Sequence, residues 1–117
     1  MTNEIGAALG LDPRAATGAN CGMAWVYFMA NRRFGTIYAG ATNNLVRRVW
    51  EHRSDVVPGF TRTHQCHLLV WFEEHQSIYS AMQREHNIKH WRRDWKVALI
   101  EGVNPEWDDL YFQVAPG

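Results

Sequence analysis

Cysteine is scarce in this 117-residue chain: Cys21 and Cys66 are too few for a disulfide framework, so stability has to come from a hydrophobic core. A reducing cytoplasm is the expected setting. Long apolar runs are missing as well. Nothing approaches the roughly 20 residues that a membrane-spanning helix needs, and no membrane partner is expected. A secretory signal is also lacking, since Glu4 stands where such a signal carries positive charge and Asp12-Pro13 breaks the Ala/Gly stretch. There is no internal repeat and no low-complexity segment. Net charge is zero, with 12 basic and 12 acidic residues, which by itself points to no class of partner.

What is present suits one domain. With 46% hydrophobic residues the chain can bury one core, and its length leaves no room for a second domain. The charge becomes informative once divided along the chain. From Ala24 to Ile100 there are eleven Lys/Arg against six acids, while Glu101, Glu106, Asp108 and Asp109 make the C-terminal part acidic. A basic centre is compatible with a polyanionic partner, or with ordinary solvated surface. Residues 1–22, rich in Ala, Gly, Thr and Asn and without periodicity, read as a loosely ordered extension; 23–111 read as the domain and 112–117 as a tail. Met23, just before the first strand-like run, is a candidate natural start.

The aromatic and β-branched runs Ala24–Ala30 and Thr36–Ala39 flank a turn-like Asn31-Arg-Arg-Phe-Gly35 and predict an antiparallel hairpin. Asn43 or Asn44 can cap a helix from Leu45 to about Arg53. Pro58 and Gly59 predict an irregular stretch through His64. His67–Glu73 is a third strand, Ser77 can cap a helix through about Trp91, and Asp94 can cap another that Gly102 ends. The order is β-β-α-β-α-α, an α/β (α+β) chain with helices packed over a three-stranded sheet.

Three features break this plain pattern. Glu85 lies within the apolar stripe Ile78, Ala81, Met82, Ile88, where a carboxylate must be paired, protonated or bound to a cation. A salt bridge to Arg48 or Lys89 is the structural alternative. Arg48 and His52 form an i, i+4 pair beside the core side of the first helix set by Leu45 and Val49, whereas Arg47 and Glu51 point away. An arginine there suits a phosphate, although its stem could simply pack while its head reaches water. Tyr27 and Tyr38, on the two arms of the hairpin, can bring two phenols together near Gly40, or can merely pack.

Taken in order, Trp25-Val-Tyr27, Gly35-Thr-Ile-Tyr-Ala-Gly40, Thr42-Asn-Asn-Leu-Val-Arg-Arg48 with His52, and Arg84-Glu85 with Ile88-Lys89 resemble the GIY-YIG nuclease superfamily. Gly59-Phe60-Thr61, Lys89-His90-Trp91-Arg92 and Asn104 to Trp107 extend the likeness to its short, single-domain bacterial members described as endonucleases. The resemblance implies an α/β sandwich on a three-stranded antiparallel sheet. It also implies hydrolysis of phosphodiester bonds in nucleic acid, with DNA the expected substrate and repair or recombination the setting.

Carried over by position, the resemblance makes Tyr27, Tyr38, Arg48, His52 and Glu85 catalytic, with Tyr27 or Tyr38 as the base. Glu85 would hold one Mg²⁺ or Mn²⁺, and Gly40, Arg47 and Lys89 would contact substrate. Two departures stand out: no lysine follows the second triplet at a matching position, and no asparagine follows the glutamate-bearing helix. Two other readings compete. The basic centre could serve a binding-only module, and His86 and His90 with Cys66-His67 could hold zinc, although four ligands at recognised spacing are not evident.

Overall fold

The computed structural model describes residues 23–115. The extension expected over 1–22, with Cys21, lies outside the described residues. Strand β1 (Ala24–Ala30) and strand β2 (Ile37–Thr42) form the expected hairpin, and β3 (Leu68–His75) pairs with the other edge of β1. The sheet is antiparallel throughout, in the order β2-β1-β3. The hairpin turn is closed from within, because the Asn31 side chain accepts from the Thr36 amide at 2.9 Å. Gly35 leaves room for that carboxamide: a Cβ there would sit 2.1 Å from Asn31 Oδ1.

The central strand shows why its sequence lacks polar alternation. Both faces of β1 are covered, so both sets of side chains are apolar or aromatic. Ala24, Val26, Phe28 and Ala30 belong to one core cluster and Tyr27 and Met29 to the other. A register shift between Phe28 and Met29, opposite Trp71 and Leu69, leaves Val70 as the extra residue on β3.

Helix α1 (Leu45–Arg53) covers the Tyr27 face and is capped by the Asn44 side chain, which accepts from the Arg47 amide at 3.2 Å. Helix α3 (Ile78–Lys89) covers the other face, with the Ser77 hydroxyl accepting from the Ser80 amide at 3.1 Å. Helix α4 (Arg93–Glu101) adds Ile100, Val97 and Leu99 to the same core. The result is the expected sheet between helices, with three differences in detail.

The stretch after Gly59 is not irregular but forms a short helix, α2 (Phe60–His64). Five residues are too few for periodicity to reveal. Helix α4 starts two residues early, with Arg92 at the cap, so Asp94 stands in its first turn beside the positive end of the helix dipole instead of capping it. A last short helix, α5 (Tyr111–Val114), packs on the α1 face, where Arg53 pairs with Asp109 and lies over the Tyr111 and Phe112 rings.

Candidate active site

The strand register places the phenols. Tyr27 lies opposite Gly40 and Tyr38 opposite Met29, so the two tyrosines are diagonal neighbours on the face that α1 covers. Their ring centroids are 6.4 Å apart. Gly40 makes this possible by having no side chain: a Cβ would come 2.5 Å from the Tyr27 hydroxyl and 2.6 Å from Cζ. The Tyr27 ring is enclosed in its core cluster and has nowhere to retreat. Gly40→Ala should therefore destabilise the protein by about 1–3 kcal/mol through overpacking and distort the hydrogen bond between the phenol and its partner. Urea unfolding at neutral pH measures the first effect, and an unchanged midpoint would contradict it.

That partner is His52. Its Nε2 lies 2.8 Å from the Tyr27 hydroxyl, and its Nδ1 lies 3.0 Å from Thr61 Oγ1 on α2. Burial, with the Arg48 charge adding to it, lowers the imidazole from its ordinary 6.5 to about 3. His52 is therefore neutral at neutral pH and carries one ring proton, with one nitrogen donating and the other accepting. Tyr27 is raised above the ordinary phenol value, by burial first and the neighbouring Tyr38 second, against a lowering by Arg48. Tyr38 is raised by burial as well, with Arg48 opposing and Glu85 adding.

The depressed imidazole has a consequence for stability. Between pH 6.5 and 3 the unfolded chain binds a proton at His52 that the folded chain does not. The stabilisation is thus complete above the unfolded value and is lost as pH falls toward the folded one, at up to about 1.4 kcal/mol per pH unit. Unfolding midpoints at pH 7 and pH 4.5 should fall further for the wild type than for His52→Gln. Equal falls would contradict a buried neutral imidazole.

Charge enters the site from two helices. Arg48 on α1 is 5% exposed and Glu85 on α3 is 1% exposed, and both act on the two phenols. Each keeps one buried atom without a partner, although Arg48 also acts on Tyr27 through a side-chain hydrogen bond. Arg48 Nη1 donates to Glu51 Oε1 at 2.8 Å, and Glu85 Oε2 accepts from Lys89 Nζ at 2.8 Å. Among the described residues, the buried side-chain polar atoms without a partner are Arg48 Nε and Glu85 Oε1. One is a donor and the other an acceptor. A buried polar atom left unpaired destabilises by about 1–3 kcal/mol, and a group arriving from outside could satisfy each of these two.

The five expected catalytic side chains thus share one locality. Gly40 adjoins Tyr27, and Lys89 reaches the site through Glu85, so the expected salt bridge to Lys89 exists but occupies a single oxygen. Arg47 is exposed and paired with Glu51 at 3.2 Å. Glu51 corrects the sequence reading: it does not point away from Arg48 but bridges Arg47 and Arg48, its side chain being long enough to span both the i−3 and i−4 spacings. The Gly59-Phe60-Thr61 likeness marks Thr61 but gives it no role, because its contact with His52 depends on α2. Cys66 is buried with its thiol toward the Thr36 carbonyl, and His67 pairs with Asp55. His86 and His90 meet edge to face, and among the described residues no group of three or more His, Cys, Asp or Glu is placed to hold a metal ion.

Residues 23–98 match the family model of the GIY-YIG catalytic domain. The chain belongs to the GIY-YIG family. Related GIY-YIG chains include a UPF0213 protein of Desulfotalea psychrophila, 30% identical over 76% of this chain and 82% of the relative. A UPF0213 protein of Bacillus pumilus is 35% identical over 62% of this chain and 74% of its own, and one of Natronomonas pharaonis is 42% identical over 56% and 76%. No solved structure matches. The GIY-YIG domain is a nuclease-type fold of an endonuclease superfamily and carries a general expectation of contact with nucleic acid. Among the described residues no helix is long and apolar enough to cross a membrane.

Proposed function

We propose that this GIY-YIG protein is a divalent-cation-dependent endonuclease that hydrolyses phosphodiester bonds in DNA, in the cytoplasm and in the service of repair or recombination. The observation that carries this reading is the unpaired buried donor on Arg48 together with the unpaired buried acceptor on Glu85, beside two phenols. A phosphodiester with its cation brings what both atoms lack: anionic oxygens for the guanidinium and positive charge for the carboxylate.

Glu85 fits one Mg²⁺ or Mn²⁺. A lone carboxylate oxygen is a hard donor, and a single protein ligand leaves most coordination positions to water and phosphate oxygens. A cation held there would stabilise the charge that builds on the phosphate. Arg48 donates to a non-bridging oxygen, its planar fork keeping its charge at every relevant pH. Lys89 leaves Glu85 Oε2 and joins Arg47 on the flanking phosphates.

The base is Tyr27 acting with His52. Attack by water requires a proton acceptor, and a phenol raised above its ordinary value is a poor base alone. Tyr27 has somewhere to send its own proton. With Nδ1–H donated to Thr61 Oγ1, His52 Nε2 accepts from Tyr27, and the phenol oxygen takes the water's proton as its own moves to Nε2. The phosphate's negative charge favours the imidazolium so formed. Tyr38, less deeply placed, donates to the phosphate. The departing ester oxygen is protonated by solvent.

Incubating supercoiled plasmid and flap or branched DNA with Mg²⁺ or Mn²⁺, with an EDTA control, tests the reading. Cation-dependent nicking is expected. Salt-sensitive binding with no cleavage of any form would replace it with a binding-only module, a reading to which the two departures from the family pattern lend some weight.

A further inference from the structure

We infer that Phe60 and His64 together form a stacking shelf for an unpaired nucleobase next to the scissile phosphate, and that the site therefore selects DNA with a single-stranded or unpaired nucleotide at the cut. The inference rests on the nuclease reading only for the position of the scissile phosphate. Phe60 is 46% exposed although its neighbour Thr61 is 3% exposed and tied to His52. The anchored threonine thus fixes an open aromatic ring beside the reaction centre. Gly59, with φ of +119°, supplies the backbone conformation that brings α2 into this position.

The rings form a continuous series leading out of the site. Tyr38 stacks on Phe60 with centroids 5.9 Å apart and planes 29° apart, and Phe60 meets His64 at 4.3 Å. Tyr38 in turn adjoins His52 and Tyr27. Phe60 thus stands between two rings, and a base would extend the series at its outer end, against His64 and the exposed part of Phe60, with its 5′ or 3′ phosphate toward Arg48. Exposed Arg62 and His64 on the same short helix match the backbone in charge or hydrogen bonding. A paired base has both faces occupied by its neighbours in the duplex, so the shelf favours nucleotides already out of the stack.

The test uses the full chain and an uncleavable phosphorothioate oligonucleotide carrying 2-aminopurine at successive positions, single-stranded and in a perfect duplex. Binding of the single strand should quench fluorescence at one or two adjacent positions. Phe60→Ala should abolish the quenching and weaken single-strand binding by about tenfold, within the range found for base stacking on aromatics. Phe60→Trp should restore both. An abasic nucleotide at the quenched position should weaken the unaltered protein to the same degree, a result that a folding defect cannot produce. Equal affinity of wild type and Phe60→Ala for the single strand, or no position-specific quenching, overturns the shelf. Cation-dependent nicking of plasmid DNA in that case would leave the nuclease reading standing, whereas quenching without any cleavage would keep the shelf and remove the nuclease.

Discussion

Glu85→Gln should eliminate cation-dependent cleavage while leaving the protein as stable as the wild type, or slightly more so. The wild-type carboxylate lies in the apolar stripe of α3, with Oε2 on Lys89 and Oε1 without a partner. Glutamine keeps the shape and can still accept from Lys89, and it removes a buried charge. Stability should thus change by less than about 1 kcal/mol, since the charge's desolvation and its single ion pair oppose one another. Activity follows different physics. A neutral amide holds a hard divalent cation poorly, and losing several kcal/mol of transition-state charge stabilisation lowers the rate by about a thousandfold or more. Single-turnover cleavage and urea unfolding on the same preparation separate the two effects. A large loss of stability with cleavage retained would reverse the assignment and make Glu85 a structural ion pair.

Arg48→Ala should reduce the single-turnover rate by at least about a hundred- to a thousandfold, the range found when one preorganised donor to a transition-state oxyanion is removed. The side chain is nearly enclosed, and its Glu51 contact engages Nη1 while Nε has no partner. Its removal also takes away the positive charge that opposes the rise of both phenols. Arg48→Lys should recover only part of the rate, because an ammonium keeps the charge but not the planar fork. Removing the guanidinium relieves one of the two effects that lower His52, so the imidazole should move back up toward its ordinary value in Arg48→Ala. NMR titration of the His52 ring reads that shift. Full activity in Arg48→Lys would show that point charge alone serves the phosphate.

Much of this could be read from residue order. Helical spacing was enough to bury Leu45, Arg48, Val49 and His52 on one side of α1, and to set Glu85 between Ala81 and Ile88 on α3. Those two anomalies, a guanidinium and a carboxylate where apolar residues belong, are among the described residues the two groups with unpaired buried atoms. The hairpin was legible from β-branched and aromatic runs, but its register was not, so the diagonal placement of Tyr27 and Tyr38 and the tight fit of Tyr27 over Gly40 needed the backbone. The roles of Thr61 and Phe60, residues marked only by the Gly59-Phe60-Thr61 likeness, escaped for a related reason. Both residues sit on a five-residue helix, too short for any periodicity, and their roles come from long-range contacts with His52 and Tyr38. Glu51 was misread because helical angle alone ignores how far a long side chain reaches along the surface.

Titrating Mn²⁺ by electron paramagnetic resonance into wild type and Glu85→Gln, each with an uncleavable phosphorothioate DNA, bears most directly on a carboxylate that grips a cation beside a phosphate. The expected result is one tightly held Mn²⁺ per wild-type chain and none per Glu85→Gln chain. Equal Mn²⁺ occupancy in the two proteins, or none in either, would contradict it.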